Sequence, residues 1–179
     1  MQLSPQTIEF YANCAGLEMI QPFMKRHVHS TGLSGGLGCA GYDIHLGTEL
    51  QSPTCRKTGK VLFKLPPRVE NGIWKVPART GVLGVTKERF NLPTNVAMQY
   101  FNKSTLAREF VNAAATLAEP GWCGHLTLEI YNQTDYEIDL VPGQPIGQVV
   151  FHELDRHSET PYSGKYQNQG SAPVSAKGE

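Results

Sequence analysis

Glycine and proline interrupt this chain so often that no long helix can run through it. Eighteen Gly and 12 Pro are spread over 179 residues. Between them lie short apolar runs: "YDIHL", "KVLFKL", "GVLGVT", "NVAMQYF", "HLTLEIYN", "YEIDLV" and "IGQVVFHEL". Short strand-like runs recurring between turn signals predict an antiparallel sandwich or barrel. In "HLTLEIYN", Leu126, Leu128 and Ile130 share one face, while His125, Thr127, Glu129 and Tyr131 share the other. By alternation alone, Glu129 reads as a residue on a wet outer face, because antiparallel sheets often keep one. Helical signals are confined to two places. "SPQTIEFYANCAG" offers Ser4 as N-cap, Pro5 at the first helical position and Gly16 as a stop. In "KSTLAREFV", Leu106 and Phe110 at i, i+4 predict one helical turn.

Charge excludes one class of partner. Lys+Arg and Asp+Glu both number 16, so no overall electrostatic footprint argues for long nucleic acid. An anionic small ligand would need a local basic cluster. The first residues lack a basic-then-apolar leader, and no apolar run reaches the roughly 18 residues of a membrane helix. The expectation is a cytoplasmic protein without membrane contact. Cys14, Cys39, Cys55 and Cys123 are scattered without a CxxC pair, which suits reduced thiols in that compartment.

Two familiar patterns fail on context. "GLGCAG" at 36–41 matches G-x-G-x-x-G, but a strand-like "YDIHLG" follows it where a dinucleotide site needs a helix. His157-Ser158-Glu159 supplies the first half of a zinc-deaminase signature, yet no cysteine lies beyond Cys123 to supply the second. No protein-held catalytic metal is expected, and no zinc.

Denser chemistry lies elsewhere. "NKSTLAREF" puts Lys103, Ser104, Thr105 and Arg108 within six residues. Phosphate recognition uses this mixture of point charge, planar fork and short hydroxyl donors; a solvated charged turn would show it too. Glu119 opens "EPGW" ahead of the Glu129 strand, and Gln148 is a hydrogen-bonding side chain in an otherwise apolar run. The polar C-terminal stretch could be a frayed tail, but its Lys165-Tyr166-x-x-Gln169 cluster is unusual for solvent filler.

Taken in order, four blocks resemble the superfamily of deoxycytidine triphosphate deaminases and deoxyuridine triphosphatases, and within it the dCTP deaminases. "AGYDIHLG" is similar to an early strand carrying an Asp, here Asp43. "NKSTLAR" resembles a Gly-Arg-Ser-Ser-Leu-Ala-Arg phosphate motif. "AEPGWCGHLTLEIYN" resembles Asp-Pro-Gly-Trp-x-Gly followed by Leu-Glu-Phe-x-Asn. "PYSGKYQNQ" resembles a C-terminal Gly-Lys-Tyr-x-x-Gln arm. The resemblance runs over nearly the whole chain. It implies a distorted β-barrel or jelly roll of the dUTPase-like type over residues 1–160, with a short N-terminal helix, and an arm over 161–179 that closes on the nucleotide. It implies a homotrimer with active sites between subunits, and Mg²⁺ carried by the triphosphate. Glu129 would be the catalytic carboxylate, Ser104 and Arg108 its partners, and Ala115 the source of a carbonyl that holds the water. Lys103, Ser104 and Thr105 would contact phosphate. Glu119, Gln148, Tyr162, Lys165, Tyr166 and Gln169 would complete the nucleotide site. The reaction implied is hydrolytic deamination of dCTP to dUTP and ammonia.

The chain departs from the pattern at three points. Asn102-Lys103 stands where the family has Gly-Arg, and Lys lacks the bidentate fork. Glu119 replaces an Asp; its extra methylene shifts the carboxylate by about 1 Å, enough to upset water alignment for dUTP hydrolysis. Ala113, Ala114 and Ala115 fall in a segment shorter than in the bacterial deaminases, which suggests a roomier pocket admitting 5-substituted cytosine; close strand packing would explain small residues equally. Alternatives to the deaminase are a dUTP diphosphatase, an enzyme doing both steps, and a silent nucleotide-binding regulatory module.

Overall fold

The computed structural model describes residues 1–177. Helix α1 (Pro5–Asn13) starts where the sequence places it: Ser4 Oγ accepts the Thr7 N–H at 3.3 Å, and Ile8 and Ala12, one turn apart, are buried. The helix ends at Cys14 rather than Gly16; Gly16, at φ +83°, sits in the turn beyond. Then come β1 (Ile20–Gln21), β2 (His27–Val28), β3 (Ser34–Leu37), β4 (Tyr42–His45), β5 (Arg68–Glu70), β6 (Ile73–Val76), β7 (Gly81–Asn91) and β8 (Val96–Asn102). Helix α2 (Ser104–Arg108) precedes β9 (Val111–Ala114), β10 (Cys123–Asn132), β11 (Ile138–Leu140) and β12 (Pro145–Glu153).

Two sheets carry the fold, one in the order β1-β7-β10-β9 and one β2-β3-β4-β12-β8; a small β11-β6-β5 sheet flanks them. Neighbouring strands are antiparallel throughout. The two larger sheets meet over an apolar core in which Phe90 of β7 faces Phe151 of β12 at 6.4 Å between rings. This is the mainly-β jelly roll that the turn spacing and the resemblance predict.

Alternation holds on β10: Leu126, Leu128 and Ile130 are buried, and Glu129 opens outward. A register shift between His125 and Thr127 bends the strand, and Thr86 fills the gap by accepting the Leu126 N–H at 2.9 Å. Asn132, fully buried, donates its amide to the carbonyls of Val76, Pro77 and Tyr136 at 2.8–3.1 Å, so it ties the strand end to the next turn.

Two local expectations need correction. "KVLFKL" forms no strand. Only Val61 makes an isolated bridge, and Val61, Leu62 and Leu65 are exposed. Pro66 and Pro67 follow directly and cannot donate to a ladder. Phe110 does not complete an apolar helical face with Leu106. The chain turns left-handed at Phe110 (φ +57°) to enter β9 and leaves that ring 61% exposed.

Candidate functional site

A cavity of about 500 Å³ lies along β10. Its floor is Leu126, Thr127 and Glu129; Leu83 of β7 and the segment Thr116–Glu119 flank it. Tyr162, Tyr166 and Gln169 of the C-terminal stretch form the opposite wall. Three elements converge because β10 is central in its sheet: Glu129 pairs with Leu83 on one side and Ala114 on the other.

The C-terminal stretch is not frayed. Tyr162 N–H donates to the Pro120 carbonyl, Asn168 N–H to that of Cys123, and His125 N–H to that of Gln169, at 2.8–2.9 Å. Trp122 Nε1 donates to the Tyr166 carbonyl at 2.9 Å, and the Gln169 amide donates to Thr127 Oγ1. The glycines of "PGWCG" make room for this: a Cβ at Gly121 would lie 2.7 Å from Pro161, and one at Gly124 would lie 2.7 Å from the Gln169 nitrogen, both at positive φ. Pro-Gly-Trp-x-Gly is thus the bed on which the arm lies.

Burial raises the pKa of Glu129, opposed by a hydrogen bond from its own backbone N–H. The side chain keeps open surface toward the cavity; the surrounding protein still strips enough water to disfavour the charged form. Tyr100 behind the sheet is raised as well, first by burial and then by the charge on Glu129.

The remaining expected site residues form a second group. Ser104, Thr105 and Arg108 project from α2, exposed, and none lines the cavity. Lys103 is committed inward: its ammonium lies 2.6 Å from the Asp43 carboxylate and 2.9 Å from Ser34 Oγ, with 11% of its side chain exposed. Gln148 sits on β12 opposite Asp43, in the other sheet. Ala115 is the first residue past the β9–β10 pairing, and no N–H among the described residues donates to its carbonyl. Lys165 reaches the Lys177 carbonyl at 3.1 Å and lies over the Tyr166 ring, outside the cavity lining.

So Glu129, Glu119, Tyr162, Tyr166 and Gln169 come together, while the cationic and hydroxyl residues do not join them. Among the described residues no Lys or Arg lines the cavity; its charged residues are Glu119 and Glu129. Thr127, Trp122 and Leu83 line it without having been singled out as site residues. Thr127 was the one within reach, two residues before Glu129 on the same strand face.

Comparison with known proteins fits this architecture. Residues 15–154 match the family model described as dCTP deaminase-like. The dCTP deaminase of Herpetosiphon aurantiacus is 36% identical over 159 residues, 84% of this chain and 86% of that protein. That of Campylobacter jejuni is 33% identical over 160 residues, 85% and 86% of the respective chains. The solved 2'-deoxycytidine 5'-triphosphate deaminase of Agrobacterium tumefaciens superposes with a TM-score of 0.61 at 17% identity, over 84% of this chain and 46% of that longer one. The fold is therefore that of a nucleotide deaminase. The chain belongs to the dCTP deaminase-like family.

Proposed function

We propose that this protein deaminates dCTP hydrolytically to dUTP and ammonia, with Glu129 as base and then acid. The observation that carries the reading is Glu129 itself: a carboxylate with a raised pKa on the floor of a largely apolar cavity, in a chain of this family. A raised pKa brings a carboxylate closer to the proton affinity a general base needs near neutrality. Water adds to C4 of the cytosine as Glu129 takes its proton. The proton passes to ring N3, giving a tetrahedral carbon that bears both hydroxyl and amine. The C4–N bond then breaks, the amine leaves as ammonia, and Glu129 relays the proton it needs. The free carbonyl of Ala115, next to the strand position that faces Glu129, is suited to hold the attacking water.

The triphosphate needs cations that the cavity lacks. Ser104, Thr105 and Arg108 on α2 have the right chemistry, and their exposure suits a site completed by a neighbouring copy. We therefore read the active site as shared between subunits of a homotrimer, with residues 161–177 of the arm covering the nucleotide. Mg²⁺ would arrive on the triphosphate, held by phosphate and water oxygens. Among the described residues the side-chain oxygen donors of the cavity are carboxylates, phenols, an amide and three Thr hydroxyls, without the imidazole or thiolate that zinc favours.

Ala114 stands directly across from Glu129 and is exposed, whereas Ala113 is buried in packing. The small side chain beside the carboxylate supports acceptance of a 5-substituted cytosine. Glu119 lines the same cavity, which keeps a second reading, hydrolysis of dUTP to dUMP, in the comparison.

Product chromatography decides. The protein is incubated with Mg²⁺ and, separately, dCTP, 5-methyl-dCTP, dCMP and dUTP. The expected result is dUTP from dCTP, turnover of the 5-methyl substrate, and no dUMP. If dUTP gives dUMP while dCTP is untouched, the diphosphatase reading replaces this one. Binding without turnover in any tube would make the chain a nucleotide-binding module.

A further inference from the structure

Across β3, away from the Glu129 cavity, two histidines meet head to head. His27 on β2 and His45 on β4 place their Nε2 atoms 3.2 Å apart, with ring planes 11° from parallel. They meet over Gly35 of the strand between them. A Cβ there would lie 2.4 Å from His45 Nε2 and 2.9 Å from His27 Nε2, so the glycine leaves a vacant spot close to both nitrogens.

The far side of each ring is fixed. His27 Nδ1 faces the Lys25 carbonyl at 3.1 Å, and a carbonyl only accepts, so that nitrogen carries its hydrogen. His45 Nδ1 faces the Glu88 carboxylate at 2.5 Å, and the other Glu88 oxygen accepts the His45 backbone N–H at 3.0 Å. His45 is 1% exposed and Glu88 0%, so the carboxylate is an oriented, dry acceptor. With both Nδ1 atoms protonated, two Nε2 lone pairs face each other, an arrangement that a cation between them relieves. Metal-binding histidines are oriented in this way, one ring nitrogen on the metal and the other donating to a carboxylate or carbonyl. A tetrahedral zinc with Zn–N bonds of ~2.0–2.1 Å spaces two ligand nitrogens by about 3.3–3.4 Å.

We propose that His27 and His45 bind a divalent late transition metal of the zinc class, with Glu88 and the Lys25 carbonyl orienting the ligands. Among the described residues no group of three His, Cys, Asp or Glu side chains surrounds the spot, so water fills the remaining positions from the half-buried His27 side. Neither histidine lines the Glu129 cavity. The proposed site fastens β2, the edge strand of its sheet, to β4.

The test uses tag-free full-length protein, stripped with chelator, dialysed and titrated with Zn²⁺ by calorimetry, with metal counted after gel filtration. The expected result is one zinc per chain and a thermal midpoint that rises with zinc. In His27→Gln, at the accessible edge, zinc affinity falls at least tenfold and the midpoint no longer responds. Conservation of zinc binding in His27→Gln would place the metal elsewhere and overturn the assignment. So would a wild type that takes up no zinc and whose imidazole ¹⁵N spectrum shows one proton shared between two Nε2 atoms; the cation is then that proton.

Discussion

The floor of the cavity and the helix α2 are joined by one short strand, yet they are built in opposite ways. Glu129 is held among buried strands, where the loss of water raises its pKa. Ser104, Thr105 and Arg108 stand on a five-residue helix with their side chains in solvent. The first arrangement suits proton transfer, which needs a tuned and partly dry carboxylate. The second suits capture of an anion, which needs accessible donors. Among the described residues the cavity has no cation, and the helix has no carboxylate. The contrast is what the proposed site between subunits would account for, with the carboxylate supplied by one chain and the anion-binding side chains by its neighbour.

Three substitutions, one of them read in two ways, probe that contrast. The largest effect is expected for Glu129→Gln, which should lower kcat by about 10²–10⁴-fold while nucleotide still binds; a kcat near wild type in rapid-quench assays would remove Glu129 from the chemistry. Next comes Lys103→Met. With the ammonium gone, Asp43 is left buried with only the Ser34 hydroxyl, and a loss of ~3 kcal/mol in denaturant unfolding is expected. A change in KM without loss of stability would instead make Lys103 a phosphate ligand, the role proposed for its neighbours on α2. Third, Gln169→Ala removes the amide that donates to Thr127. The arm's backbone contacts remain, and KM should rise about tenfold, the worth of one good hydrogen bond, with kcat less affected. The smallest effect is on stability. Because the folded protein raises the Glu129 pKa, the folded state binds that proton more tightly than the unfolded chain. The stability linked to it is present below the unfolded pKa and is lost as pH rises through the folded value. Glu129→Gln should therefore melt higher than wild type at neutral pH, with the gap closing in acid. In the same sense, wild-type kcat should fall as pH drops through the Glu129 pKa.

Sequence and structure agree where short-range rules decide. Ser4 and Pro5 start α1, and alternation on β10 puts Leu128 and Ile130 inward and Glu129 outward. Local pattern misled where the outcome depends on distant chain. "KVLFKL" has the composition of a strand, but the backbone pairing of its Val61 and Leu62 is one bridge from Val61 to Thr54 and one hydrogen bond from Leu62 N–H to the Pro53 carbonyl, in a short loop. The ion pair of Lys103 is not legible locally either, because only the fold brings Asp43, sixty positions earlier, against its ammonium. The arm reads as tail by composition. The room it occupies is written in Gly121 and Gly124, whose φ angles and missing Cβ atoms have meaning only once Pro161 and Gln169 lie on them. Alternation alone puts Glu129 on a wet outer face; the cavity it lines exists only because the C-terminal stretch folds back over that face.

Mixing two inactive variants tests the shared site most directly. Glu129→Gln chains keep Arg108 of α2, and Arg108→Ala chains keep the carboxylate. Each is expected to be nearly inactive alone. Unfolded together in equal amounts and refolded, they should regain about a quarter of wild-type deamination if each site takes Glu129 from one chain and Arg108 from the next, as random closed assembly dictates. Activity no higher than that of the separate variants would place Glu129 and Arg108 in one chain's own site, and would contradict the account.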